Sequence, residues 1–222
     1  MIQRRRIYEK ALPSKDAQKV YVFCEGDDTE KNYFDFFSGM SSNLEIIAIP
    51  PYNHKSSPNK LIEHAKRLFE GESPEYTLDY KQKDIIWFVV DTDEWEECGL
   101  IELLRSYCIK KNDGQNYSAW NVAQSNPSFE IWLYYHVYKN KPNDVDVASF
   151  ISFKEYVNDK ISGGFDSTIM PIHIEEAIRN SLTNYESNGD GPALYSTEVH
   201  NLGNDIIKYA GKDLQLKKRT LI

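Results

Sequence analysis

Six consecutive apolar residues, Ile85-Ile86-Trp87-Phe88-Val89-Val90, run straight into Asp91-Thr92-Asp93. A β-branched and aromatic run of this length is a strand signal. It is apolar at odd and even positions alike, so neither face is left for water. That is the pattern of a central strand in a parallel sheet covered by helices on both sides. Any fold for this chain must bury the run and still bring its acidic tail to the surface.

The surrounding sequence supplies the layers. Residues 19–24, Lys-Val-Tyr-Val-Phe-Cys, read as a first buried strand, broken by Glu25-Gly26-Asp27-Asp28-Thr29. From Glu30 to Met40, apolar residues at 33, 34, 36, 37 and 40 recur at helical spacing, with Thr29 as the expected N-cap. Residues 44–49 read as a second strand. Ser57-Pro58 reads as a helix start, followed by Leu61, Ile62, Ala65, Leu68 and Phe69 on one face. After the central strand come a helix over 96–110, a strand over 119–123, and a helix through about His136. Asn126 is its expected N-cap and Pro127 its first helical residue. Strand and helix thus alternate four times, which predicts an α/β fold: a parallel sheet, helices on both faces, right-handed crossovers. Beyond Pro142-Asn143-Asp144 the pattern changes to helical stretches near 148–160, 171–184 and 193–210. They predict a C-terminal helical appendage packed on the core. The expected divisions are an N-terminal arm (1–18), an α/β domain (19–140) and the helical region (141–222).

Composition excludes several functions. The formal net charge is −8, which argues against gripping nucleic acid through global charge, since that attraction needs Lys and Arg against phosphate. A local acidic metal pocket remains compatible with it. The three cysteines, Cys24, Cys98 and Cys108, form no CxxC pair and no zinc spacing. A reduced, cytoplasmic setting is expected. No apolar run approaches the roughly 20 residues of a membrane span, and the basic start Met1-Ile2-Gln3-Arg4-Arg5-Arg6 has no apolar segment behind it, so no signal peptide is read there. There is no Walker A motif, dinucleotide fingerprint or G-x-S-x-G elbow.

In a parallel sheet, functional groups collect beyond the carboxyl ends of the strands. Glu25 follows the first strand and Asp91 follows the third, with Asp93 two residues on. Extended backbone puts Asp91 and Asp93 on one side. Clustered carboxylates repel unless a proton or cation compensates, and hard oxygen donors suit Mg²⁺ or Mn²⁺. Glu25 is then a third ligand or a general acid/base. The alternative is that these acids cap helices or sit in solvated loops.

The pairing of Glu-Gly after strand one with D-x-D after strand three resembles the Toprim domain of topoisomerases, primases and several nucleases. More narrowly, the chain is similar to the RloB family of bacterial defence-associated Toprim proteins. The matching stretches are Cys24-Glu25-Gly26-Asp27-Asp28-Thr29-Glu30 with Asn32-Tyr33-Phe34, then Val90-Asp91-Thr92-Asp93. The third is Ser125-Asn126-Pro127-Ser128-Phe129-Glu130-Ile131-Trp132-Leu133 with His136. Ser196-Thr197-Glu198-Val199-His200-Asn201-Leu202 matches more weakly. One departure is Glu94-Trp95, where family members often carry Asp-His. The resemblance implies a Toprim-like fold and metal-dependent phosphodiester chemistry on RNA, tRNA among them, or on DNA. It also implies a role in phage defence beside a partner ATPase. The same acidic site also suits nucleotidyl transfer, and a non-catalytic sensor or adaptor is the third reading; a homo-oligomer is open.

Five further residues are candidates. Glu30 either accepts from backbone N–H groups near the helix start or supports the metal ligands as an additional catalytic carboxylate. Asn126 and Glu130, four apart on the expected helix, share a face; the family match makes Glu130 a candidate ligand for a second metal, and its alternative is a helix-terminus role. His54 and Lys55, in the loop after strand two, are candidate phosphate contacts. His136 lies on the apolar face with Phe129, Trp132 and Leu133 and is expected to be a satisfied core histidine.

Overall fold

A computed structural model describes residues 9–92 and 98–221. Four parallel strands form the centre of one sheet: β1 (Gln18–Cys24), β2 (Leu44–Ile49), β3 (Ile85–Asp91) and β4 (Trp120–Asn126), in the order β2-β1-β3-β4. A short β7 (Ser196–Thr197) adds antiparallel to β4. The chain leaves β1 towards β2 and then returns past β1 to β3. Right-handed crossovers then require the first helix on one face and the next two on the other. That is how they lie. One apolar layer joins Val20, Val22, Trp87 and Val89 to Tyr33, Phe34 and Phe37 of the segment after β1, built around α1 (Thr29–Asp35). The other joins Tyr21, Phe23, Phe88 and Val90 to α2 (Pro58–Glu70) and α3 (Leu100–Asn112). Alternate residues of the central run serve opposite cores, as its unbroken apolarity requires.

Helix α1 is shorter than the expected Glu30–Met40 stretch, and Asp28 rather than Thr29 is its N-cap. Past Asp35 the backbone tightens into successive turns, Phe37 N–H to the Phe34 carbonyl and Met40 N–H to the Phe37 carbonyl. Gly39, at φ +75°, ends the segment in the left-handed region that favours glycine. Phe36, Phe37 and Met40 are nevertheless buried, so the apolar spacing located the right face.

The chain after β4 departs further. The segment expected as a helix capped by Asn126 stays extended through Asn126, and α4 spans Glu130–Tyr134. Asn126 pairs with Ser196 of β7, and its side-chain N–H donates to the Pro192 carbonyl at 3.0 Å. A distant strand therefore outcompetes the local capping role, and Asn126 shares no helix face with Glu130.

The rest comprises α5 (Asp144–Val147), α6 (Phe153–Lys160), α7 (Ile174–Thr183), the hairpin β5 (Ser187–Asn188) and β6 (Gly191–Pro192), and α8 (Val199–Leu221). The helix expected over 193–210 begins at 199, because 196–197 join the sheet. Helix α8 is more than a cover: Val199, Leu202, Ile206, Ala210 and Leu214 belong to the same core as β1 and β3, and the Trp87 indole N–H donates to Asp205 Oδ2 at 3.0 Å. Fully burying a large aliphatic side chain contributes about 1.5–3 kcal/mol. Four such side chains on α8 then match the ~5–15 kcal/mol net stability of an ordinary domain. The C-terminal helix thus forms part of the layer that the sheet needs. No helix among the described residues is long and apolar enough to cross a membrane.

Candidate metal centre

The strand order reverses between β1 and β3, and in open parallel sheets the binding crevice opens at such a switch point, beyond the carboxyl ends. The register sets Cys24 beside Val89, so Glu25 falls level with the end of β3. Its Oε2 accepts the Asp91 N–H at 2.8 Å. Asp91 Oδ1 in turn accepts the Phe129 N–H at 2.8 Å, one of the amide groups that a helix start leaves without an internal partner. Asp91, from another strand, thus does at α4 what Asn126 was expected to do. Three chain segments meet on two carboxylates.

These residues open onto a cavity of about 590 Å³, lined by Glu25, Asp27, Asp28, Glu30, Asp91 and Glu130 among others. Among the described residues, Lys154 is the one lysine or arginine of that lining. Six acids against one cation is an oxygen-only donor set, which suits Mg²⁺ or Mn²⁺ and no soft metal. Mg²⁺ commonly takes one or two protein carboxylates and fills its remaining positions with water and substrate phosphate, so Glu25 and Asp91 fit such an ion. Among the described residues, no three His, Cys, Asp or Glu side chains form a complete cluster for a metal. Asp93, the expected further ligand, lies outside the described residues, as do Glu94 and Trp95.

Glu30 reaches back from α1 to accept the Gly26 N–H at 3.2 Å. This is the backbone-accepting role, carried out at the cavity wall. A Cβ on residue 26 would overlap the Glu30 carboxylate, so a side chain there would displace that carboxylate from the Gly26 N–H. Burial pushes the Glu30 carboxyl above its ordinary range; the nearby Glu130 charge adds to this, while Gly26 N–H donation opposes it. The folded state therefore holds the proton to higher pH than the unfolded chain, and stability falls as pH rises from 4.5 through the folded value. Glu30→Gln should remove that loss, so the metal-free variant is expected to melt above wild type at neutral pH. Thermal melts across the carboxylate range measure it; a variant melting well below wild type would mean that the Gly26 bond outweighs burial.

Glu130 is buried; its Oε2 accepts from the Ser128 hydroxyl at 2.7 Å and its Oε1 lies 3.5 Å from Lys154 Nζ. It stands in the same cavity as Glu25 and Asp91. Asn126 is not part of that lining. His54 sits at the rim, exposed, with Nδ1 2.6 Å from Asp27 Oδ2; the hydrogen bond to Asp27 and its charge raise the imidazole pKa. Lys55 is exposed in the same loop, and Ser56 beside it lines the cavity. His136 is the expected core histidine: Nδ1 donates to the Trp132 carbonyl at 3.0 Å and Nε2 accepts from the Tyr33 hydroxyl at 3.1 Å.

Sequence reasoning missed Lys154 and its neighbours Ser152 and Phe153, which wall the cavity from α6. Nothing local marks them, since they lie in the region read as an appendage. Asp27 and Asp28 do carry a signal in the sequence, the acidic run after Glu25-Gly26.

Neither curated proteins nor solved structures provide a match to this chain. A family model, that of the RloB-like proteins, matches residues 20–206. The match begins in β1, ends in α8 and takes in the strand ends that carry Glu25 and Asp91; the chain belongs to the RloB-like protein family.

Proposed function

We propose that this protein is a metal-dependent phosphodiesterase acting on RNA or DNA, with Mg²⁺ or Mn²⁺ held by Glu25, Asp91 and Asp93. The observation that carries the reading is the meeting of Glu25 and Asp91 at the switch point of the sheet, inside an acid-lined cavity of about 590 Å³. Bound there, the cation would polarise a phosphate and lower the pKa of a water. The chain's own residues supply the rest. Asp91 is anchored by the Phe129 N–H, so its carboxylate is oriented before anything binds. Glu30, which burial inclines towards the protonated form, is suited to hold or pass a proton at the cavity wall. Glu130 is the candidate for a second ion, Lys154 supplies positive charge at the mouth for phosphate oxygens, and His54 and Lys55 are candidate phosphate contacts in the loop beside it. Mixed tRNA, mRNA and plasmid DNA incubated with purified protein and Mn²⁺ test the reading. Cleavage is expected with metal only, and Glu25→Ala should lose it; equal cleavage by the variant would overturn the assignment.

The activity is proposed to serve phage defence under a partner ATPase. The chain has no nucleotide-hydrolysis motif, and a net charge of −8 gives weak intrinsic attraction for nucleic acid, which keeps the free enzyme quiet. Equal toxicity with and without its genomic neighbour, at equal protein level, would count against partner control.

A further inference from the structure

Thr92, the residue between Asp91 and Asp93, is 6% exposed and heavily bonded. Its N–H donates to the Ser125 and Pro127 carbonyls at 2.9 and 3.2 Å. Its hydroxyl donates to the Ser125 carbonyl at 2.8 Å and accepts from Gln124 Nε2 at 2.9 Å. Gln124, at 2% exposure, is fixed in turn. Its Oε1 accepts from Arg105 Nη2 at 2.8 Å, and its backbone N–H donates to Glu198 Oε2 at 3.0 Å. Arg105 and Glu198 close the circuit with an ion pair of 2.7 Å, largely shielded from water. The backbone agrees, since Glu198 N–H donates to the Gln124 carbonyl at 2.8 Å. On the far side Gly191 presses on Gln124: a Cβ there would stand 2.9 Å from Gln124 Oε1.

A side-chain amide has one oxygen and one NH₂ group, and here they face in opposite directions. Arg105 can only donate, so it commits the oxygen of Gln124 and turns the NH₂ group to Thr92. The charged end of the chain of bonds thereby sets the polarity of the neutral end. We propose that Arg105, Glu198 and Gln124 form a positioning relay that, through Thr92, fixes the strand end carrying Asp91. Glu198 belongs to the Ser196-Thr197-Glu198 stretch just before α8, so the C-terminal region sets the geometry of the distant end of β3. The relay rests on the reading of Asp91 as a metal ligand, and the hydrogen bonds themselves stand apart from it.

The test uses the full chain as Thr92→Val, Thr92→Ser and Glu198→Gln, with Arg105→Lys in place of Glu198→Gln if that variant does not fold. Mn²⁺ affinity and, in metal-free protein, exchange of the Thr92 amide are measured beside the melting temperature. The relay predicts faster exchange in Thr92→Val and Glu198→Gln. It also predicts Mn²⁺ binding weaker by at least about tenfold, the lower range for loss of a group that orients a metal ligand. Thr92→Ser, which keeps the hydroxyl, should match wild type in both. Folded variants with wild-type exchange and affinity overturn the proposal. If wild type itself binds no Mn²⁺, the metal reading falls and exchange alone decides: acceleration supports the relay, wild-type exchange overturns it.

Discussion

Mn²⁺ is expected to stabilise the wild-type protein, and Asp91→Asn to abolish that stabilisation while leaving the metal-free protein at least as stable. The two halves have different causes. A ligand that binds only the folded state adds about 2.7 kcal/mol at 100 times its dissociation constant. Replacing a charged ligand should cost more than the roughly 10–100-fold that loss of a supporting partner costs. Without metal, however, the substitution relieves repulsion in a cavity where Glu25, Glu30 and Glu130 also stand. Asparagine keeps an oxygen for the Phe129 N–H, so the start of α4 keeps its acceptor. Asp91→Ala would lose that acceptor as well, at about 1–3 kcal/mol for the orphaned amide. Melting curves with and without Mn²⁺ separate these terms. A metal-free Asp91→Asn protein that melts well below wild type would make Asp91 a structural residue first.

The second large effect is acid destabilisation through His136. Burial lowers its pKa to about 3, against an ordinary 6.5. Between those values the unfolded chain takes up a proton that the folded protein refuses, so stability is complete above 6.5 and declines as pH falls. The slope approaches 1.4 kcal/mol per pH unit, or about 2 kcal/mol by pH 5. Glu30 contributes a slope of opposite sign above 4.5, so the comparison must be with His136→Gln, which retains Glu30. Urea unfolding well above pH 6.5 and at pH 5 should show wild type losing about 2 kcal/mol more than the variant; parallel losses would contradict the neutral, buried state of His136.

The central strand and the two carboxylates beside it were legible because both depend on local pattern. An apolar run without a polar face must be buried on both sides, and a parallel sheet directs its strand ends to one edge, so Glu25 and Asp91 had to lie on the same side of the molecule. His136 was legible for a similar reason, its helical spacing to Trp132 and Leu133. What was not legible depends on partners far along the chain. Asn126 had the residue type and the following proline of an N-cap, yet its strand partner Ser196 and its acceptor Pro192 cannot be anticipated from residues 125–130. Helix α8 was seen as a helix but not as half of a layer, because periodicity gives a face and not what that face covers. Lys154 and the Arg105–Glu198 pair are single polar residues without a spacing rule. They are found only when the fold brings α6 and the start of α8 to the strand ends.

The most direct test of the metal centre is anomalous diffraction from crystals of the protein grown with Mn²⁺. An anomalous peak is expected within coordinating distance of carboxylate oxygens of both Glu25 and Asp91, lost in Asp91→Asn crystals. Mn²⁺ bound elsewhere, with no peak between those two carboxylates, would contradict it.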